Sequence, residues 1–459
     1  MGSDWKTFTL EELASEQKSA LATGPFGSAI SSKFFQENGI PVIRGGNLSA
    51  NTSDRMSDDG LVFVSEEKAA EFKRSVVRKG DLIFTCWGTI NQVGLLDEQR
   101  QFDEYIISNK QMKVTLDVDK ADPLFVYYMF SGPKKQKEIL QNGIGAAVPG
   151  FNLGQLREHK LTLPNINNQR RIASYLDSLD QKITLNNQIN QTLEQMAQTL
   201  FKSWFVDFDP VKAKMNGEQP KGMDAPFLSK EVASLFPEKL VESELGLIPD
   251  GWKILPSEKV ATVAIGKTPP RKEPQWFSED SKDVTWVSIR DMGNTGTYAL
   301  DSSEYLTQEA IDKFNVKVIP HNSLILSFKL TVGRVAITHG EMATNEAIAH
   351  YKLSKDARVS TNYLYSYMKQ FNFDSLGSTS SIAKAVNSKI IKALPVVVPS
   401  KEVLDNFDTL AKPLFDKIKS NQMENQSLED LRDTLLPKLL SGEIDLENVQ
   451  VEQAKALAE

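Results

Sequence analysis

Apolar side chains recur at helical spacing along two long stretches of the chain. In the first, Ile172, Leu179, Asn186, Leu193 and Leu200 stand seven apart, and Leu176, Ile183, Asn190, Ala197 and Trp204 follow four residues on. In the second, Phe407, Leu414, Asn421, Leu428 and Leu435 alternate with Ala411, Ile418, Asn425, Arg432 and Leu439. These are the a and d positions of a coiled coil. Asn186, Asn190, Asn421 and Asn425 occupy the apolar stripe itself. An amide there costs stability but specifies register and partner.

An antiparallel pairing sets Asn186 opposite Asn425 and Asn190 opposite Asn421, with Ile172 facing Leu439 and Trp204 facing Phe407. A parallel pairing also matches Asn with Asn. The antiparallel one is preferred because it places the flanking units at opposite ends of one rod. Leu179 opposite Arg432 is the single mixed layer, where the arginine is expected to snorkel to solvent. Residues 172–204 would span roughly 50 Å as a helix. Such a spacer can hold two modules about one DNA turn apart, ~34–36 Å. An intramolecular pair with no measuring role, and an intermolecular coiled coil, are the alternatives.

The two helical stretches are copies, aligned without gaps at an offset of 235. Upstream, with gaps, GDLIFT (80–85) resembles NSLILS (322–327), SNKQ (108–111) resembles TNEA (344–347), VYYM (126–129) resembles YSYM (365–368), and IPVIRGGNL (40–48) resembles VTWVSIRDM (284–292). Short β-type runs bounded by Gly, Asp or Asn mark both units as mixed α and β. The fold class is therefore α+β, with two similar mixed units separated by two long antiparallel helices. The expected order is a unit at 1–164, a helix at 165–205, a linker at 206–243, a unit at 244–398, a helix at 399–441 and a tail at 442–459. The segment 206–250, with Pro210, Pro220 and Pro226, reads as an extended connection.

Composition narrows the class. The 459 residues are 40% hydrophobic and 25% charged, an ordinary globular balance. No run of about 18 apolar residues exists, so no membrane span is expected, and the opening MGSDWKTFTLEEL lacks the pattern of a signal peptide. A single cysteine, Cys86, excludes an internal disulfide and a cysteine-based zinc site. A reducing, cytoplasmic setting is the expectation. The net charge of −7 argues against a uniformly basic surface but allows basic grooves.

Catalytic motifs are missing. There is no methyltransferase FxGxG or NPPY-type sequence and no GxxxxGK[ST] phosphate loop. The histidines at 159, 321, 339 and 350 lack metal-ligand spacing and are read as solvated or capping. Cys86 is read as a small buried residue, and the carboxylates of FVDFD (205–209) as a weak metal candidate. No catalytic or metal residue is expected.

What remains is binding. Candidate DNA contacts in the first unit are Arg44, Asn47, Thr85, Trp87, Thr89, Asn109, Lys110 and Asn152. Those in the second are Lys267, Thr268, Arg271, Lys272, Arg290, Lys329, Arg334, Asn345, Ser378 and Lys384. Arginine can read guanine and asparagine adenine through bidentate bonds, and the small-residue loops GIGAAVPGFN (143–152) and GSTSSIAKAVN (377–387) let backbone N–H groups approach phosphate. Arg44 and Arg290, Asn109 and Asn345, and TCWGT and SFKLT are read as matching places in the two units.

At these residues the chain resembles a known family. LPNINNQRRIASYLDSLDQKITLNNQINQTLEQMAQTLFKSWFVDFDPV is similar to the central conserved region of type I restriction-modification specificity subunits, GKTPPRKEPQWF with VSIRDM to the opening of their second target-recognition domain, and LRDTLLPKLLSGEIDL to their C-terminal end. The resemblance implies a non-catalytic subunit that binds double-stranded DNA. Each target-recognition domain would read one half of a split site, with the helices fixing the unread spacer. It implies two methyltransferase subunits and the restriction/translocase subunits as partners, with AdoMet, ATP and Mg²⁺ belonging to them. A two-headed coiled-coil scaffold or adhesion protein, a self-contained enzyme, and a specificity subunit of a non-type-I methyltransferase are the competing classes.

Overall fold

The computed structural model describes residues 5–49, 52–143, 150–218, 228–376 and 386–446. The chain forms two compact units, Met1–Leu185 with Asn425–Glu459, and Asn186–Glu424. Each contains one α/β body and portions of both long helices, Ile166–Phe205 and Lys401–Ser441. The helices have 40 and 41 residues, roughly 60 Å each at ~1.5 Å per residue.

In the first unit, a four-stranded sheet runs in the order Leu21–Thr23, Gln111–Val114, Leu82–Thr85, Val93–Leu95. Its strand Leu82–Thr85 is buried on both faces. Leu82 and Phe84 enter the core shared with the helix Pro123–Ser131 and with Ile172, Leu176, Leu435 and Leu439 of the long helices. Ile83 points into a second core with Ile43, Tyr105 and Ile107. This is the two-residue alternation of a strand covered on both sides. A second sheet runs Val62–Val64, Ile40–Ile43, Glu104–Ile107, Val76–Arg78, with Ile40–Ile43 parallel to Glu104–Ile107. Lys6–Thr9 pairs with Lys160–Leu163 and closes the body.

The second unit repeats this plan. Its larger sheet runs Thr262–Ile265, Ile348–Lys352, Leu324–Ser327, Val335–Thr338, Tyr298–Ala299. Leu324 and Leu326 enter one core and Ile325 another. Val284–Val287 runs parallel to Ala343–Thr344, and Lys253–Pro256 pairs with Pro395–Val398. The internal repeat therefore reaches down to the order and direction of the shared strands; the second unit adds Tyr298–Ala299 to its larger sheet and Phe277–Ser278 to its smaller one, where no described strand answers to Val76–Arg78.

The helices run antiparallel within each unit. In the second, Asn186 donates to Glu424 and Asn421 to Asn190, both at 2.9 Å, while the Phe407 ring meets Trp204 at a tilt, 6.4 Å between centroids, and Phe205 edge to face at 5.2 Å. In the first, Arg432 meets Asp180 at 2.8 Å. Asn425 is buried in the first unit.

Several expectations are corrected. Arg432 does not snorkel; it is buried, because Asp180, one position outside the heptad series, supplies its counter-charge. Over its described residues the segment after the first helix is not an extended connection; Pro220 and Pro226 lie outside them. It contains helices Asp209–Met215 and Lys230–Ser234 and the hairpin Leu240–Ser243/Gly246–Pro249. Pro210 serves as the first-turn proline of a helix, and Val211, Leu228, Phe236 and Trp252 pack with Trp204. His159 and His350 are core residues rather than solvated ones. The FVDFD carboxylates are used locally, Asp207 by Lys202 and Asp209 by Ser203 at 2.8 Å. No cluster of three or more potential metal ligands occurs among the described residues, and no described helix is long and apolar enough to cross a membrane.

Candidate nucleic-acid interface

Loops at one end of the sheets converge in each unit. In the first, the N–H of Gly24 donates to Gln111 O at 2.9 Å, that of Cys86 to Lys110 O at 2.8 Å, that of Ser108 to Ile43 O at 3.0 Å and that of Phe151 to Cys86 O at 2.9 Å. In the second, the N–H of Gly266 donates to Ile348 O at 3.1 Å, that of Phe328 to Ala347 O at 2.9 Å and that of Asn345 to Val287 O at 3.1 Å. Gly24 and Gly266 are required by this convergence: a Cβ would lie 1.8 Å from Ser108 O in one case and 2.2 Å from Asn345 O in the other.

Strand pairing gives the register between the two corners. Ile43 pairs with Ile107 as Val287 pairs with Thr344, and Thr85 with Gln111 as Ser327 with Ile348. TCWGT and SFKLT therefore correspond residue for residue, Trp87 with Lys329 and Gly88 with Leu330. The other two matches slip. Arg44 stands at the place of Ser288, and Arg290 at that of Gly46. Asn109 stands at the place of Glu346, and Asn345 at that of Ser108. The slips arise where loops of different composition were aligned by like residues.

The candidate contacts separate by burial. Asn47 is buried and spent on structure, accepting from the Arg44 N–H at 3.0 Å and donating to Ser57 O and Asp59 O. Thr85 is buried beside Gln92. These two are withdrawn from a solvent-facing role. Asn152 caps the helix Leu153–Glu158, accepting from the Gln155 N–H at 3.0 Å. Exposed in the first unit are Arg44, Trp87, Thr89, Asn109 and Lys110. Asn109 donates to Gly27 O at 3.0 Å, and Arg44 to Gly60 O at 2.9 Å.

In the second unit Lys267, Lys272, Arg290 and Lys329 are exposed, though Lys267 also reaches Phe314 O at 2.6 Å. Arg271 is exposed but committed: its guanidinium forks onto Glu304 at 2.7 and 2.9 Å and lies over Phe277 and Trp286. The hydrogen bonds to Glu304 raise its pKa despite partial burial. Thr268 bonds Glu346. Arg334, half-buried, donates to Ile289 O at 3.0 Å, and Asn345 Oδ1 accepts from the Ala347 N–H at 3.1 Å. Ser378 and Lys384 lie outside the described residues, as do most of the two small-residue loops. Cys86 is buried, and burial pushes its thiol up to about 11.

Other residues escaped the pattern. Phe26 is 84% exposed in the loop after Gly24, and Leu330 is 92% exposed; the Gly-x-Phe and Lys-Leu contexts hold only a faint signal of this. A polar network ties each body to the helices it packs on. In the first unit Tyr128 donates to Asp180 at 2.6 Å, Arg55 pairs with Asp177, and Ser53 joins Arg432 and Asp180. In the second, Glu194 accepts from Tyr365 at 2.7 Å and meets Lys369 at 3.0 Å, while Gln422 bonds both backbone groups of Tyr298. Burial opposes the charge on Arg432, but Asp433 and Asp180 hold its pKa above the usual arginine value.

Two β-bearing bodies of one topology, each presenting a loop corner and each docked on long antiparallel helices, define a class. The chain matches the family model of the type I restriction modification DNA specificity domain over residues 2–195 and 249–430, and it belongs to that family. It is 27% identical over 484 residues to the specificity subunit of the type I restriction enzyme HindI from Haemophilus influenzae, covering 96% of this chain and 100% of that protein. It is 23% identical to the MjaIX specificity subunit from Methanocaldococcus jannaschii, covering 84% and 82%. The crystal structure of the type I S subunit from M. genitalium shares the fold, with a TM-score of 0.54 at 14% identity over 96% of this chain and 97% of that one.

Proposed function

We propose that this chain is the DNA-sequence specificity subunit of a type I restriction-modification complex, with each unit reading one half of a bipartite duplex site. The observation that carries this is the doubled loop corner, the same in strand register and different in side chains, within a chain matching the specificity-domain family in both units. Equal scaffolds with unequal rims suit the reading of two unlike half-sites. Exposed Arg44 and Lys110 in one unit, and Lys267, Lys272, Arg290 and Lys329 in the other, supply cations to contact phosphate and set orientation. Base edges are left to the remaining rim side chains.

In this reading the paired helices set the number of unread base pairs and dock the methyltransferase subunits, two in number, which the restriction/translocase subunits join. AdoMet, ATP and Mg²⁺ act on those partners, and the work takes place in the cytoplasm. In this chain Cys86, His159 and His350 are buried, and Asp207 and Asp209 are bonded by Lys202 and Ser203. The test is methylome sequencing of a methylation-free host carrying the chain with its methyltransferase subunit. A split motif marked in both halves is expected. Absence of new methylation, with the partner shown folded and bound, returns the chain to the scaffold class.

A further inference from the structure

Leu330 is the most exposed large apolar residue among those described, at 92%, and its backbone φ is +64°. It is the centre of a three-residue turn closed by the Thr331 N–H donating to Lys329 O at 2.8 Å. A leucine with positive φ in such a turn is strained, because its Cβ crowds the neighbouring carbonyl. The first unit has Gly88, with φ +90°, at the corresponding place, where a positive φ costs nothing sterically.

The turn is held in this form from below. The buried Ser327 hydroxyl donates to Thr331 O at 2.5 Å and accepts from the Arg334 N–H at 3.0 Å, and the Gly333 N–H donates to Ser327 O at 2.9 Å. Strain persists only where the surroundings over-determine it. The folded chain gains no apolar burial in return, since the side chain stands in solvent. The tip is flanked by cations. Lys329 is exposed beside it, and Arg334, at the base of the hairpin, bonds Ile289 O and so joins it to the loop bearing exposed Arg290. An apolar point between cations matches a duplex, whose phosphates surround the apolar surfaces of its bases. The hairpin tip of the first unit exposes Trp87, 53% accessible, so an apolar tip recurs with different chemistry.

We infer that Leu330 is a specificity-determining residue of the second unit that inserts against the apolar surface of a base, either a thymine 5-methyl or the face of a base at an opened step. This rests on the proposed function. The test uses the complex of the full chain with its methyltransferase subunit and duplexes carrying the motif defined by methylome sequencing. Leu330→Ala and Leu330→Gly are expected to weaken site binding about tenfold and to leave binding to unrelated duplex unchanged. The glycine variant should retain or raise the melting temperature, which a structural role for the side chain would not allow. Uracil in place of one thymine in the second unit's half-site should reproduce the loss if the methyl is read. A 2-aminopurine that brightens with the parent complex and not with Leu330→Gly marks an opened step; either result supports the inference. Variants that bind and discriminate as the parent does, or that lose the methyltransferase subunit instead, overturn it while leaving the functional reading standing. A parent complex that discriminates no duplex overturns both.

Discussion

Asn421 donates its side-chain amide to Asn190 Oδ1 at 2.9 Å, between antiparallel helices of the second unit. Each amide occupies a heptad place that in most other layers holds an apolar side chain. The pair offsets its own desolvation only while both members are present.

Asn421→Leu should therefore destabilise the second unit by about 1–2 kcal/mol, because it strands the Asn190 amide. Adding Asn190→Leu should recover most of the loss. Urea denaturation of the two single variants and the double variant gives the coupling; simple additivity would show that the bond contributes nothing.

Arg432 and Asp180 form the corresponding polar layer of the first unit, with both side chains almost wholly buried. Asp180→Ala leaves a buried arginine without this partner and removes the acceptor of Tyr128 and Ser53. A loss of about 3–5 kcal/mol is expected. Asp433→Ala, which removes an exposed partner of the same guanidinium, should cost far less. Similar losses for the two variants would contradict the assignment of the buried layer to Asp180.

Burial pushes His350 down to about 4 from 6.5. The unfolded chain therefore binds more proton between those values. Stability is complete above about pH 6.5 and falls as the pH drops toward 4, by about 3 kcal/mol from this group. His350→Gln should flatten that part of the profile relative to the parent, read as unfolding midpoints at pH 4.5 and 7. An unchanged slope would place the titration elsewhere.

Lys329→Ala and Lys110→Ala should weaken DNA binding about equally for specific and unrelated duplexes, and each should lower the slope of log K against log salt by about 1. Arg271→Ala should leave that slope close to the parent's, since its charge is already paired with Glu304. Salt titrations of the complex distinguish these groups directly.

The long helices and the repeat were legible because a heptad is a local, ungapped pattern, and an offset of 235 carries it from one helix to the other. The partner of Arg432 was not, since Asp180 lies outside the seam that the heptad describes. The folded segment after the first helix was hidden for a similar reason: Pro210 reads as a breaker alone and as a first-turn proline once Asp209–Met215 is seen. At the loop corners, TCWGT and SFKLT kept their register because the strands before them align without a gap. Asn109 and Asn345 slipped by one because identity in a loop outweighed strand pairing that only the fold supplies. Leu330 gives no sign of positive φ in sequence, since that conformation is imposed by Ser327 and the turn around it.

The most direct test replaces residues 1–164 with the first unit of another family member, with Ser53, Arg55 and Tyr128 grafted into it so that Asp177 and Asp180 keep these partners, and sequences the methylome produced with the same methyltransferase subunit. One half of the split motif should change, while the other half and the number of unread base pairs stay the same. If both halves change together, or neither does, the two units do not read the site separately and the account fails.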